Sequence, residues 1–194
     1  MKLHYKGKYN LDPESLPHGE HQPGAVQFKE ANDSKQMSII MNVIAFIIII
    51  PLFVILYLRC GKAIVEHMMV GALLSLLCLF PHEILHAICF KEDVYLYTNL
   101  KQGMLFVIGP ELMSKGRFIF MSLLPNLVFG FIPFIVALCV PSLALLGVLG
   151  VINIVSGSCD YYNVFNALTQ MPKGARTYLY QFHSYWSMPE EQGE

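Results

Sequence analysis

The sequence predicts an α-helical polytopic membrane protein with about four transmembrane helices and a small β-hairpin between the second and third helices. Hydrophobic residues make up 55% of the chain and charged residues only 14%, whereas soluble domains contain about 25% charged residues. The hydrophobic residues are also gathered into four stretches, each long enough for the roughly 20 apolar residues that a spanning helix needs. These stretches lie near residues 37–58, 63–90, 117–140 and 142–170.

The charges between the apolar stretches predict the orientation of the helices. Loops on the cytoplasmic side of a membrane carry an excess of lysine and arginine. If the N-terminus is cytoplasmic, the opposite side carries only Arg59 and Lys62, and the other loop cations face the cytoplasm. Those cations are Lys29, Lys35, Lys91, Lys101, Lys115, Arg117, Lys173 and Arg176. We therefore expect both termini to be cytoplasmic.

The β-hairpin is predicted from two β-prone runs that follow the second apolar stretch. The runs are Val94–Thr98 and Met104–Ile108, and the segment between them contains Gly103. We expect the hairpin at or within the cytoplasmic membrane face. Two interpretations remain open, an interfacial cover for the helices and an edge strand that binds substrate.

The pentapeptide His82-Glu83-Ile84-Leu85-His86 indicates metal chemistry, because it lies in an almost uncharged apolar stretch. Ionisable residues in a membrane helix are rare and are usually functional. On a helix, residues four apart share a face, so His82 and His86 can bind one ion while Glu83 reaches a water on that ion. This spacing suits zinc. The alternative is a buried polar cluster without metal.

Catalytic zinc needs a third protein ligand and an open position for water, and Asp160 is the best candidate. It is the only acid in the fourth apolar stretch. In the predicted topology it lies at about the same depth as His82 and His86, near the cytoplasmic ends of their helices. A helix cap or a polar contact between helices is the alternative.

Two asparagines are candidates for supporting roles. Asn126 lies about nine residues into the third stretch, near the predicted depth of the metal, where it could hold a substrate carbonyl or an oxyanion. Asn163 follows Asp160 by about one turn and could orient its carboxylate. Hydrogen bonding between helices is the alternative for both.

These residues resemble intramembrane zinc metalloproteases of the site-2 protease type, and more closely the small bacterial zincin-type peptidases of the domain-of-unknown-function 3267 family. The resemblance covers about residues 60–186 and rests on three segments. They are the His-Glu-x-x-His-Ala run at 82–87, Gly-Ser-Cys-Asp at 157–160 and Met-Pro-Lys-Gly-Ala at 171–175. It implies His82, His86 and Asp160 as metal ligands and Glu83 as general base. The chain departs from site-2 proteases proper because Tyr161 follows Asp160 and no PDZ-like domain is present.

Together these observations predict a zinc-dependent endopeptidase with one zinc per chain, which cleaves a membrane protein or peptide substrate in or beside the lipid bilayer. Residues 37–172 then form the membrane metalloprotease domain. A polar N-terminal segment precedes it at 1–36, and a cytoplasmic C-terminal tail follows at 173–194. We expect the protein in a bacterial cytoplasmic membrane with its active site near the cytoplasmic face. A formal net charge of −1 gives no reason to expect a nucleic-acid partner.

Other functions remain open at this stage. A zinc-binding regulator or assembly factor without protease activity is the main alternative, although such a protein would not need Glu83. A metal or proton transporter is disfavoured because the polar residues gather near one membrane face. A di-iron oxygenase would need many more intramembrane ligands.

Overall fold

A computed structural model describes residues 1–181 and 183–189 of the chain, except for the side chain of Gln102. Helices account for most of the described residues. The long helices are α1 (Ser34–Cys60), α2 (Ala63–Ala87), α3 (Lys115–Pro125), α4 (Ile132–Cys139), α5 (Ala144–Ser156) and α6 (Ser158–Gln170). Single 3₁₀ turns precede or join some of these elements.

Among the described residues, three helical segments are long and apolar enough to cross a membrane, or four if one bent pair counts as a single span. The first two are α1 and α2, and the third is the continuous segment Lys115–Cys139. The bent pair is Pro141–Ser156 with Ser158–Gln170, and its two parts meet at 51°. These segments agree with the predicted helical class, and the bend in the fourth was not predicted.

The third helical segment changes its winding at Asn126. A π-helix, Asn126–Phe131, joins α3 to α4. A π-helical turn inserts one extra residue into the winding and is often found at functional sites. Asn126 lies at its first position and is fully buried.

The strands form two small sheets. The first has the order β1-β3-β4, with β1 at Leu3–Lys8, β3 at Val94–Asn99 and β4 at Met104–Ile108. The predicted hairpin is thus present as the antiparallel pair β3–β4, and β1 from the N-terminal segment lies parallel to β3. The second sheet, of order β2-β7-β6-β5, was not predicted. Its strands are β2 (Val26–Gln27), β5 (Met113–Ser114), β6 (Arg176–Tyr180) and β7 (His183–Ser187).

The chain divides into two compact units. The helical unit comprises Ala31–His82 and Ser122–Tyr162, and the sheet-bearing unit comprises Met1–Glu30, Glu83–Met121 and Asn163–Glu194 as far as these residues are described. Helices α2, α3 and α6 contribute residues to both units. Each unit combines segments that are far apart in the chain. The predicted domain boundaries at residues 36 and 172 therefore stay predictions.

Each unit has its own apolar core. In the helical unit, side chains from four helices pack together: Leu56, Ile64, Phe134, Ala137, Ala144, Val148, Val151 and Ile154. In the sheet-bearing unit, Tyr9 and Leu16 of the N-terminal segment pack on Tyr97 and Ile108 of the first sheet. A further cluster joins Phe28 to Ala167, Met171 and Ala175. The N-terminal segment is therefore part of the folded structure.

Candidate metal centre

The motif residues of α2 present their ligand atoms together. One ligand atom from each of His82, Glu83 and His86 lies within 4.8 Å of the others. This follows from helix geometry, since positions four apart share a face and the residue at i+1 is displaced by about 100°. The motif is thus locally arranged as its spacing predicts.

In the helical unit, His82 faces Asp160 of α6. The distance from His82 Nε2 to Asp160 Oδ2 is 3.4 Å, and the two side chains are only 13% and 14% exposed. Ligands placed 2.0–2.2 Å from a tetrahedral ion are themselves about 3.4 Å apart. The structure therefore brings these two predicted ligands to a separation that one zinc ion could bridge.

Asp160 is held by the buried side chain of Asn126. The Nδ2 of Asn126 donates a hydrogen bond of 2.7 Å to Asp160 Oδ2, and the Tyr161 hydroxyl donates to Asn126 Oδ1 at 3.2 Å. The tyrosine fixes which end of the amide faces the carboxylate, because a carbonyl oxygen can only accept. Asn126 therefore orients Asp160, the function that we predicted for Asn163, and a substrate contact of Asn126 stays a prediction.

The close approach of Asn126 to α6 requires a glycine. A Cβ atom at Gly157 would overlap the side-chain amide of Asn126. Gly157 lies between α5 and α6, where the bent pair turns. The Gly-Ser-Cys-Asp segment thus supplies both the acid and the space for its partner.

In the sheet-bearing unit, His86 is oriented by a backbone carbonyl. The Nδ1 atom of His86 lies 2.9 Å from the carbonyl oxygen of Met121. A carbonyl only accepts, so Nδ1 carries the proton and Nε2 carries the lone pair that can bind a metal. Metal-binding histidines usually show this second hydrogen bond.

Glu83 is also held by a backbone group of this unit. Its Oε2 atom accepts a hydrogen bond of 2.9 Å from the N–H of Val107 in strand β4. The bond fixes one carboxylate oxygen and connects Glu83 of α2 to the predicted hairpin. Since Val107 donates to Glu83, its N–H points away from β3.

Asn163 lines a cavity of about 160 Å³ in the sheet-bearing unit. The wall also contains Val107 and Met121, the two residues whose backbones bind Glu83 and His86. Much of the remaining lining is apolar, with Phe90, Ile108, Met113, Phe118 and Leu179. The predicted contact between Asn163 and Asp160 stays a prediction.

The donor set fits zinc. Two imidazoles and one carboxylate are ligands that zinc accepts, and three protein ligands leave a position for water. His86 Nδ1 donates to the Met121 carbonyl, and Asp160 accepts from the Asn126 amide. Metal ligands normally have outer hydrogen bonds of this kind. The predicted ligand set of His82, His86 and Asp160 has this chemistry, and it stays a prediction.

Sequence reasoning missed the groups that hold these ligands. Val107 and Met121 act through backbone atoms, which leave no side-chain signature in a sequence. Tyr161 had a detectable signal, since it is a polar aromatic residue directly after Asp160, but its hydrogen bond to Asn126 depends on the fold.

A helix that presents two histidines and an adjacent glutamate, with an aspartate beside one histidine, has the donor set of a zinc-dependent peptidase. A family model described as putative zincin peptidase matches residues 73–176, which is more than half of the chain. The chain belongs to this family, domain of unknown function 3267, and the family description implies zinc. Comparisons with curated proteins and with solved structures gave no match.

Proposed function

We propose that this protein is a zinc-dependent endopeptidase that hydrolyses peptide bonds of membrane-associated substrates within or beside the membrane. One observation carries the proposal: the only acid between the two motif histidines, Glu83, is bound by the N–H of an edge strand. A general base and a strand that can bind an extended peptide are thus directly connected. Membership of the zincin peptidase family supports this.

The surface of the helices supports membrane insertion. Large apolar side chains of α1 are exposed along its whole length, including Ile39, Val43, Phe46, Ile47, Ile50, Val54 and Leu58. Continuous exposed apolar surface of this kind is rare in water-soluble proteins. In the proposal, lipid covers this surface and the motif end of α2 lies near the cytoplasmic face, as the loop charges predict.

His82, His86 and Asp160 hold the metal in this proposal. Bound zinc would polarise a scissile carbonyl and lower the pKa of a bound water. The protein contributes the orientation of the three ligands through Met121, Asn126 and Tyr161. Because Asn126 binds Asp160 through Nδ2, the amide holds that carboxylate in place without carrying charge.

Glu83 is the general base. Its Oε2 is held by the Val107 N–H, which leaves the carboxylate oriented to accept a proton from water and return it to the leaving amine. The adjacent cavity of about 160 Å³, whose wall includes Glu111, Asn163, Thr177 and Ser184 beside apolar residues, is smaller than the usual 300–1,000 Å³ of a small-molecule site. It can therefore admit one substrate side chain rather than a whole ligand.

An extended substrate segment is proposed to pair with the outer edge of β4. Strand β3 is covered on both sides, by β1 and by β4, whereas no described strand pairs with β4 on its other side. The backbone N–H groups of alternate residues point to the same side of a strand. The N–H of Leu105 therefore points to the outer edge of β4, as that of Val107 does. A helical substrate would first unwind, because its own hydrogen bonds hide the scissile carbonyl.

The first test measures zinc and cleavage on the same preparations. We expect about one zinc per chain in detergent-purified wild type and in Glu83→Gln, and loss of zinc in Asp160→Ala, by mass spectrometry. Wild type should cleave members of a fluorogenic peptide library in proteoliposomes, and Glu83→Gln should be at least about 100-fold slower.

The controls separate the alternatives. Glu92→Gln changes a nearby exposed acid outside the motif and should keep both zinc and activity. Zinc in wild type with cleavage that does not depend on Glu83 would favour a zinc-binding regulator. No zinc in wild type, even after reconstitution, would contradict the peptidase proposal.

A further inference from the structure

Two basic side chains at the start of α3 bind the carboxyl ends of two other helices. Arg117 donates to the carbonyl of Cys89, just beyond the end of α2, through Nε at 3.0 Å and Nη2 at 2.8 Å. Lys115 Nζ donates to the carbonyls of Leu168 and Met171, at the end of α6, at 3.2 and 2.8 Å. All these residues belong to the sheet-bearing unit.

Helix ends are suitable places for such contacts. The last four carbonyls of a helix have no partner within the helix, and the negative end of the helix dipole lies there. A lysine or arginine that binds these carbonyls supplies both the missing donor and the favourable charge. Lys115 binds such a carbonyl, that of Leu168 in the last turn of α6, and Arg117 binds the carbonyl of Cys89 two residues after the end of α2.

Glu111 extends the contact at the end of α2. It forms an ion pair with Arg117, and its Oε2 accepts from the N–H groups of Lys91 and Glu92 at 2.6 and 3.1 Å. Burial raises the pKa of this carboxyl, but the hydrogen bonds from Arg117, Glu92 and Lys91 outweigh burial and leave the pKa below its usual value. Glu111 therefore stays ionised and keeps Arg117 in place.

The two helices held in this way are those that carry the proposed metal ligands. His82, Glu83 and His86 lie on α2, and His86 precedes Cys89 by three residues. Asp160 lies on α6, eight residues before Leu168. A helix rises 1.5 Å per residue, so a slip by one residue displaces a ligand by about 1.5 Å.

We propose that Lys115, Arg117 and Glu111 form a clamp that fixes the axial positions of α2 and α6, so that the two helices offer their ligands at one level. This inference rests on the proposed zinc site. Lys115 and Arg117 are positioning residues, and Glu111, which holds Arg117, also lies in the wall of the cavity beside Val107 and Met121. Lys115 and Arg117, which the loop charges marked only as cytoplasmic cations, thereby gain a specific structural role.

The experiment compares three clamp variants with wild type. They are Lys115→Met, Arg117→Met and the double variant that carries both substitutions. Lys115→Arg keeps charge and donors and serves as the conservative variant. Arg59→Met is the matched control, because Arg59 also binds a helix-end carbonyl, that of Leu138, at 2.6 Å, but on helices that do not carry the three ligands. Melting temperature is recorded for every variant.

Zinc affinity is measured by competition with a chelator. We expect at least a tenfold loss in the double clamp variant, since residues that orient metal ligands typically change affinity 10–100-fold. Lys115→Arg should stay within about threefold of wild type, as should Arg59→Met even if its melting temperature falls. A purely structural role would lower melting temperature in clamp and control variants alike without a selective loss of zinc.

A second readout does not depend on metal. Spin labels at Ile88 and Phe165, both exposed residues of the sheet-bearing unit, report the separation of the two helix ends after the five native cysteines are replaced. We expect a broader distance distribution in the clamp variants than in wild type or Arg59→Met. The single variants keep the test possible if the double variant does not fold.

The outcomes separate this inference from the proposed function. Broader distances with selective loss of zinc support the clamp. Unchanged distances overturn it, whatever the zinc affinity, and unchanged zinc affinity with broader distances overturns its role in ligand positioning. If wild type binds no zinc, the proposed function fails, and the spin-label distances alone then decide whether the clamp holds the two helices.

Discussion

The two units of this protein hold the proposed catalytic residues in different ways. In the helical unit, Asp160 is bound by the side chain of Asn126, which is in turn bound by the side chain of Tyr161. In the sheet-bearing unit, Glu83 and His86 are bound by the backbone N–H of Val107 and the backbone carbonyl of Met121. One unit therefore uses polar side chains and the other uses the main chain.

This difference has a physical origin in the elements involved. Inside an apolar helix, backbone groups are already satisfied by the helix, so only side chains can bind a neighbouring carboxylate. An edge strand has backbone groups on its outer side that are available for other contacts. Side-chain support can be removed by ordinary substitutions, whereas backbone support is removed only by changing the main chain.

The largest expected effect comes from removing the backbone donor to Glu83. Val107→Pro deletes this N–H. The pairing of β4 with β3 should remain, because this N–H does not point toward β3. We expect cleavage of the peptide library to fall by about 100-fold, because the base loses its orientation. Zinc content should remain near one per chain, since Glu83 is not a proposed ligand. Proteoliposome assays and mass spectrometry measure the two quantities.

The matched control for this prediction is Val107→Ala, which removes most of the side chain but keeps the N–H. It should retain activity within about threefold. Equal losses in Val107→Pro and Val107→Ala would show that the side chain, and not the backbone bond to Glu83, is what matters.

A smaller effect is expected from disturbing the side-chain support of Asp160. Gly157→Ala places a methyl group where the Asn126 amide now lies, so Asn126 must move and release the carboxylate. We expect zinc affinity to fall about 10–100-fold, together with about 1–3 kcal/mol of stability from overpacking. Chelator competition and thermal unfolding measure these changes.

Gly116→Ala is the corresponding control, because a Cβ at Gly116 would meet nothing within 4 Å. It should leave zinc affinity unchanged. If Gly157→Ala keeps wild-type zinc affinity while its stability falls, the contact between Asn126 and Asp160 is not needed for the metal.

The smallest effect concerns substrate pairing with the outer edge of β4. Leu105→Pro deletes an N–H on the same side of the strand as that of Val107, at a position where no described strand pairs. We expect KM for library peptides to rise about tenfold or less, as one or two hydrogen bonds are lost at about 1 kcal/mol each. Zinc content and kcat should change little.

Leu105→Ala, which keeps the N–H, provides the comparison for KM. A rise of the same size in both variants would assign the effect to the side chain. An unchanged KM in Leu105→Pro would contradict strand pairing at this edge and leave the hairpin as a cover for the helices.

Much of the fold and of the site could be predicted from local features. Runs of apolar residues predict helices because about 20 of them are needed to cross a bilayer. The two β-prone runs around Gly103 predict the hairpin that the structure contains. The spacing of His82, Glu83 and His86 predicts that they share a helix face, because helix periodicity is a local property.

Contacts between distant segments could not be predicted in the same way. The N-terminal segment was predicted only as a polar segment before the membrane domain, and it contributes strands to both sheets because β1 and β2 find partners about 90 and 160 residues away. The second sheet was missed because β2 and β5 have only two residues each, while β6 and β7 are rich in aromatic residues, which also suit a membrane interface.

The sequence by itself determined the helical class, the shared helix face of His82, Glu83 and His86, and the family of this protein, because these depend on composition and on spacing along the chain. Only the tertiary structure decided that Asn126 binds Asp160, that backbone groups of Val107 and Met121 bind Glu83 and His86, and that Lys115 and Arg117 bind two helix ends. A hydrogen bond requires two atoms within about 3 Å, and for residues far apart in the chain that distance is set by packing rather than by local sequence.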